Sequence, residues 1–252
     1  MSGRNSPFLN EQIVGYIALT KPQIIELLLV TTVPPMFVAA GTVPGAWLMV
    51  ATVVGGAFAA GGANAINMFI DRDIDQLMER TKGRPLVTGV ISPKNALIFA
   101  LTLELVAFIW LWQFVNFLSA VLAISACLFY VFIYSLWLKR TSSLNVVIGG
   151  AAGAVPVLVG WAAVTNSLSW SPLILFLIIF FWTPPHTWAL MIKYRDDYSN
   201  ASVPMLPSVE SLAVVANQII LYTIVQVALT IVFAFVADMG IFYLVSAIVL
   251  GA

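Results

Sequence analysis

The segment Asn64-Ala-Ile-Asn67-Met-Phe-Ile-Asp71-Arg-Asp-Ile-Asp75 carries the densest chemistry in the sequence. Asn67, Asp71 and Asp75 recur at i, i+4 and i+8. On a helix that spacing puts three oxygen-bearing side chains on one face and turns Asp73 roughly away from it. Such a stripe suits a hard cation such as Mg²⁺, which keeps several waters and bridges to phosphate oxygens. Arg80, Lys82 and Arg84 follow and run into Pro85. Carboxylates for a metal beside cations for oxyanions describe a metal–diphosphate site. The competing description is a solvated loop laced with salt bridges.

A second cluster, Lys193-Tyr194-Arg195-Asp196-Asp197-Tyr198-Ser199-Asn200, repeats the theme, with Asp196 and Asn200 four apart behind two cations. Carboxylates of both clusters, facing each other across a bundle, would clamp one diphosphate through two Mg²⁺ ions. Between them lies Tyr130-Val-Phe-Ile-Tyr134-Ser-Leu-Trp-Leu-Lys139-Arg140, then Thr141-Ser-Ser-Leu-Asn145. Lys139 and Arg140 suit neutralisation of a departing diphosphate, and equally the ordinary anchoring of a helix end at a membrane interface. Gly149, Gly150 and Gly153 either let helices approach closely or leave room for a bulky flat substrate.

Trp182-Thr-Pro184-Pro185-His186-Thr-Trp188 predicts a break in a helix, because paired prolines remove backbone donors. A membrane tolerates that only beside a cavity or satisfying neighbours. The sole histidine, His186, sits at that break. It reads as a polar group stabilising a kink, or as a site residue. In the second case it binds a porphyrin carboxylate, approaches a haem iron or moves a proton.

Composition says what scaffold holds these residues. Of 252 residues 61% are hydrophobic and 9% charged, eleven basic and eleven acidic, against roughly 25% charged in a soluble protein. This excludes a cytosolic enzyme, a disordered chain and a nucleic-acid binder with its large basic excess. One cysteine, Cys127, and one histidine exclude a disulfide framework and cysteine-only or histidine-only metal sites. A transmembrane helix needs about 20 mostly apolar residues. Seven segments qualify: 23–41, 45–69, 95–112, 118–138, 144–165, 172–192 and 211–236. An eighth begins near 240 and stops at Ala252, giving about 20 Å of helix. The expectation is a partial eighth span and a C-terminal truncation. Residues 1–22 lack an apolar h-region and a cleavage site, so no cleaved signal peptide is expected. No Pro/Gly/Ser-rich linker divides the chain, and residues 1–252 read as one all-α transmembrane bundle domain.

Orientation follows from the cations. Arg4, Lys21, Arg72, Arg80, Lys82, Arg84, Lys94, Lys139, Arg140, Lys193 and Arg195 all fall in the N-terminal tail or in connections after the second, fourth and sixth spans. That puts the N-terminus in the cytoplasm. Topology alone does not require the acids to gather there too, yet eight of eleven do. Glu26 and Glu104 lie within spans, where an ionisable group is costly and usually faces the bundle or a cavity.

From Leu19-Thr20-Lys21-Pro22 to Pro204-Met205-Leu206-Pro207 the chain resembles the UbiA superfamily of intramembrane prenyltransferases and, within it, the haem O synthases (protoheme IX farnesyltransferases). The resemblance rests on NMFIDRDIDQLMERTKGRPLVTG (67–89), LKRTSSLNVVIGGAAGAVPVLVGW (138–161), WTPPHTWAL (182–190) and DDYSNASVPMLP (196–207). The first motif marks the superfamily; the WTPPH and PMLP blocks are far more specific to haem O synthases.

The resemblance implies that Mg²⁺ held at Asn67, Asp71 and Asp75, and at Asp196, Asp197 and Asn200, binds farnesyl diphosphate. Ionisation gives an allylic cation, a protoheme vinyl group attacks it, and water completes the side chain of haem O. Asp71, Asp75, Lys139, Arg140 and His186 are then the candidate catalytic residues. Arg72, Arg80, Lys82, Arg84, Lys193, Arg195, Tyr134 and Asn145 are candidates for holding substrate. It implies residence in a bacterial plasma membrane with the active site near the cytoplasmic face. Haem A synthase or terminal-oxidase assembly factors are the implied partners, and no nucleic acid is. Two positions depart from the superfamily pattern: Asn200 stands where the second Asp-x-x-x-Asp motif ends, and Tyr134 and Lys139 are five apart rather than four. Nine spans are expected of haem O synthases. A prenyltransferase for aromatic quinone precursors would share the metal site without needing WTPPH. A transporter would claim the Pro184-Pro185 kink but would set its carboxylates near the midplane.

Overall fold

The computed structural model describes the backbone of residues 7–251 and the side chains from Asn10 onward; Arg4 lies outside that range. The regular elements among the described residues are helices, and no strand occurs there. In chain order they are α1 (Pro7–Thr20), α2 (Pro22–Ala40), α3 (Ala46–Ile70), α4 (Arg72–Leu77), α5 (Pro93–Phe114) and α6 (Phe117–Leu128). A π-helix, Phe129–Leu138, continues α6 and leads into α7 (Lys139–Thr141). Then come α8 (Asn145–Thr165), α9 (Trp170–Ile192), α10 (Arg195–Asn200), α11 (Leu206–Val209), α12 (Leu212–Val236) and α13 (Ile241–Gly251).

Seven helical stretches are long and apolar enough to cross a membrane: Asn10–Ala40, α3, α5, Phe117–Thr141, α8, α9 and α12. They coincide with the seven segments expected from hydropathy, and α13 is the short apolar eighth. Local chemistry sets their ends. Ser92, Asn116 and Ser211 cap α5, α6 and α12, each side chain accepting from the backbone N–H three residues on, as N-caps do. Gly41 closes α2 in the left-handed conformation at φ 63°, which costs glycine nothing.

Two features differ from the sequence reading. Residues 7–20, read from the sequence only as a tail ahead of the first span, form a helix of their own, α1. It lies on α3, with Leu19 fully buried among Ala65, Ile66 and Met68 and the Tyr16 ring against Phe99. The second feature is α9, which runs through Pro184 and Pro185 without interruption. Each proline removes one backbone donor, and the helix, packed against α8 and α12, continues to Ile192 despite that loss.

The helices pack as a bundle in which α3 lies along α5, α2 along α8, α8 along α9 and α9 along α12, with α6 on α8. Small residues set the closest approaches. A Cβ on Gly160 would stand 2.0 Å from the Thr32 carbonyl oxygen, so only glycine lets α2 and α8 cross there. A Cβ on Gly149 would stand 2.3 Å from the Tyr134 ring, whereas one on Gly153 would meet nothing within 4 Å. The glycines of α8 thus do both things expected of them: some admit a neighbour, and one fronts open space. Of the two carboxylates within spans, Glu26 is exposed and Glu104 is buried against Gly62.

Candidate active site

The helical register survives the junction of α3 and α4, because Asp71 N–H donates to Asn67 O and Asp75 N–H to Asp71 O. Asn67, Asp71 and Asp75 therefore share one face as their spacing predicts. That face is buried: Asp71 and Asp75 are 0% and 2% exposed. Asp73, on the other side, is exposed and takes both nitrogens of the Arg140 guanidinium at 2.8 Å. That hydrogen bonding holds the Asp73 carboxyl down at about 2. The solvated-loop description fails for the stripe and holds only nearby, where Lys82 pairs with Glu79 on the surface.

The stripe is wired to cations from three directions. Lys139 pairs with Asp71 Oδ2, and Arg84 Nη1 reaches both Asp75 oxygens at 2.7 and 2.6 Å. Lys21 Nζ donates to Asn67 Oδ1 at 2.9 Å. Asn67 Nδ2 in turn donates to Asp71 Oδ2 at 2.8 Å and to Ser135 Oγ at 3.0 Å. Arg140 Nη2 stands 3.9 Å from Asp71 Oδ1 and donates to Ile70 O at 3.1 Å. Removing one partner of a buried pair strands its charge in low dielectric, so these contacts are mutually dependent.

The π-helix explains the five-residue spacing of Tyr134 and Lys139. Lys139 N–H donates to Tyr134 O, an i to i−5 bond. The wider turn of a π-helix lets positions five apart share a side. Tyr134 stacks on Tyr130 at 5.3 Å between ring centroids, and Ser135 and Lys139 reach the stripe. The five-residue spacing is thereby accommodated in the helix, and the side chains keep a common direction. Such bulges concentrate at functional sites.

The second cluster folds differently. Tyr194, which precedes α10, and Tyr198 within it stand four apart and anchor the helix. Tyr198 is buried with Ile74, Met78, Trp188 and Met205, and burial raises its phenol above the ordinary value, so it stays neutral. Asp196 and Asn200 lie two residues either side of Tyr198 and are exposed, as are Lys193 and Arg195. Asp197 is half-buried and turns toward the first cluster, accepting from the Arg80 backbone N–H at 3.4 Å. Arg80 also donates to Tyr198 Oη at 3.2 Å and lies 5.4 Å over the Tyr194 ring. Arg80 and Asp197 thus join the two acidic segments, and Asp197 rather than Asp196 is the carboxylate nearest the stripe's own loop.

Below the stripe a cavity of about 200 Å³ opens between α2, α3, α6 and α8. Ile24, Leu28, Gly56, Ala60, Cys127 and Val159 contribute to its apolar wall. Asn64 lines its polar end and donates to Thr20 O at 2.9 Å. Along α3 the wall runs from Asn64 to Gly56, about 12 Å of helix.

The remaining candidates stand apart from this arrangement. Asn145 is fully buried and donates to Pro204 O at 3.3 Å, tying α8 to the Val203–Met205 turn. His186 is exposed on α9, its ring stacked on Trp182 at 4.3 Å. Arg72 is exposed and folds back on Phe69. Sequence reasoning passed over Lys21, Ser135, Asn64 and Tyr198 as site residues. All four are placed by contacts distant in sequence.

The donor set fits Mg²⁺. All three stripe residues offer oxygen, and Asp71 Oδ1 is buried with no hydrogen-bond partner among the described residues. No three His, Cys, Asp or Glu side chains gather into a metal cage among the described residues.

A model of the UbiA prenyltransferase family matches residues 28–252. Protoheme IX farnesyltransferase of Clavibacter sepedonicus is 53% identical over 234 residues, 93% of this chain and 76% of its own. That of Streptomyces avermitilis is 51% identical over 250 residues, 99% of this chain and 82% of its own. Among solved structures, a UbiA homolog from Archaeoglobus fulgidus bound to DMAPP and Mg²⁺ has a TM-score of 0.71 at 15% identity, covering 94% of this chain and 85% of that one. A digeranylgeranylglyceryl phosphate synthase has a TM-score of 0.77 at 18% identity, covering 96% and 84%. The two structures share the fold, the curated relatives share the sequence as well, and the chain belongs to the UbiA prenyltransferase family.

Proposed function

We propose that the protein transfers the farnesyl group of farnesyl diphosphate to a vinyl group of protoheme, giving haem O. The observation that carries this reading is the buried Asn67–Asp71–Asp75 stripe, ringed by Lys21, Arg84 and Lys139 above an apolar cavity. Two further facts support it: the curated relatives at 51% to 53% identity carry the name protoheme IX farnesyltransferase, and a structural neighbour binds a prenyl diphosphate with Mg²⁺.

Mg²⁺ held by Asn67, Asp71 and Asp75 would neutralise charge on the diphosphate. Lys139, Arg84 and Arg140 supply the remaining positive charge for the leaving oxygens. The C1–O bond breaks with its electron pair going to diphosphate. The π pair of a protoheme vinyl group then forms the new C–C bond. Water adds to the resulting cation and loses a proton, leaving a hydroxyethylfarnesyl group. Meanwhile the apolar cavity keeps water from the allylic cation. Exposed His186, stacked on half-buried Trp182, forms a flat, nitrogen-bearing surface on α9 suited to a porphyrin. The cation distribution supports a plasma-membrane protein with its N-terminus and site toward the cytoplasm. Haem A synthase or terminal-oxidase assembly would then use the product.

The test is incubation of the purified protein with protoheme, farnesyl diphosphate and Mg²⁺, with products read by mass spectrometry. Haem O is expected, and chelation of Mg²⁺ should abolish it. A quinone precursor prenylated in place of haem would overturn the substrate assignment.

A further inference from the structure

Lys21 occupies an unusual backbone position. It is the single residue between α1 and α2 and has φ 52° and ψ 69°, a left-handed conformation uncommon outside glycine. Pro22 follows and opens α2. The joint is pinned on both sides: Thr20 O accepts from Asn64 Nδ2, and Lys21 N–H donates to Ala18 O at 3.2 Å. Strain of this kind persists only where surrounding structure enforces it, and it points to a use for the side chain.

The side chain reaches the buried stripe at Asn67. Ile24 and Leu28, on the same face of α2, line the cavity below. The ammonium donates to a neutral acceptor, Asn67 Oδ1, at 2.9 Å, while Asp71 and Asp75 are taken by Lys139 and Arg84. That one contact accounts for the side-chain hydrogen bonds of Lys21 among the described residues, and an ammonium has three donors. Three cations surround two carboxylates, so this cluster carries an excess positive charge that an anion would balance. Asn67 Oδ1 is also the oxygen that Asn67 would offer a metal. The ammonium and a metal ion compete for it.

We propose that Lys21 is a diphosphate-binding residue, parked on Asn67 Oδ1 and transferred to the diphosphate oxygens when a metal ion takes that carbonyl. The inference rests on the farnesyl diphosphate reading above and adds a residue and an order to it. Metal and diphosphate bind synergistically because the metal releases the cation that the diphosphate needs.

The experiment compares wild type, Lys21→Met and Lys21→Arg in lipid nanodiscs by calorimetry, using Mg²⁺ alone and farnesyl thiolodiphosphate, whose C–S bond resists ionisation. Lys21→Met should bind the analogue in Mg²⁺ roughly 10- to 100-fold more weakly, the loss of one charge-assisted contact to phosphate. The same variant should bind Mg²⁺ alone several-fold more tightly, because the competing ammonium is gone. Lys21→Arg should recover most of the analogue affinity. These opposite signs separate the proposal from a purely structural role, in which both affinities fall together. Unchanged analogue binding, or a joint fall, would overturn the inference and leave the farnesyl diphosphate reading standing. Failure of the wild-type protein to bind the analogue would overturn that reading and this one with it.

A second measurement uses the wild-type protein alone. Acetylation of Lys21, followed by mass spectrometry, should speed up in Mg²⁺ and slow when the analogue is added. Rates indifferent to both ligands would count against the exchange.

Discussion

Asp71 and Asp196 each open a four-residue spacing at the end of a long apolar helix, and the two lie in opposite surroundings. Around Asp71 the stripe faces the α1–α2 joint, the π-helix and the 78–91 segment, which bury it and supply Lys21, Lys139 and Arg84. Around Asp196 the buried side of α10 belongs to Tyr198, packed with Ile74 and Met78 from α4. Asp196 and Asn200 consequently turn outward, and Asp197 is left as the inward carboxylate. Equal spacing gives a common face in both cases. What that face meets is decided by neighbours far away in the chain, and only the first cluster is enclosed by opposite charge.

The largest expected difference lies between these two aspartates. Asp71→Ala should lower kcat/KM for haem O formation by about 10³-fold or more, the scale for losing a principal electrostatic contact in a closed site. Membrane insertion should be unaffected. Asp196→Ala should cost less than about tenfold, in line with the small effects of exposed charges. Initial rates at varied farnesyl diphosphate check both. Equal losses would erase the distinction between enclosed and exposed clusters.

A finer contrast lies inside α10. Asp197→Asn should cost about 10- to 100-fold, the range for groups that orient the primary ligands, and exceed the effect of Asp196→Asn. Arg80→Ala should act in the same direction, raising KM for farnesyl diphosphate by about tenfold, because Arg80 ties Asp197 and Tyr198 to the first cluster's loop. If Asp196→Asn were the more damaging of the two, α10 would have to rotate during turnover.

The seven spans were legible because apolar runs of that length report their solvent directly. The i, i+4, i+8 stripe was legible because a helix converts spacing into a face. Tyr134 and Lys139 show where this reasoning stops: five residues apart, they leave a common side on an α-helix and regain it on the π-helix. No local propensity in Phe129–Leu138 announces ten residues of i to i−5 bonding. Lys21 counts toward topology in the sequence, and its place beside Asn67, 46 residues away, depends on how α1 and α2 meet α3. Pro184 and Pro185 mislead in the other direction. Two lost donors predict a break, yet packing against α8 and α12 carries the helix through.

The smallest expected effect falls within the first cluster itself, on the side facing away from the stripe. Asp73 is bonded by Arg140 as closely as Asp75 is by Arg84, but its side chain is 62% exposed against 3%. Solvent screening reduces such a pair to at most about 1 kcal/mol, so Asp73→Asn should lower Tm by no more than about 4 °C. Turnover should hold within about threefold, since Arg140 keeps its contact with Ile70 O and exposed charges contribute little. The pH dependence has a definite sign. The Asp73 carboxyl lies at about 2 in the folded protein against an ordinary 3.8, so the stability it adds is fully present above the unfolded value and lost as pH falls through the folded one. The Tm difference between wild type and Asp73→Asn should therefore be the same at pH 7 and pH 5 and shrink only below about pH 4. A difference that changes between pH 7 and pH 5 would mean that Asp73 is coupled to the buried stripe, and the division of this segment into an enclosed and a solvated side would not hold.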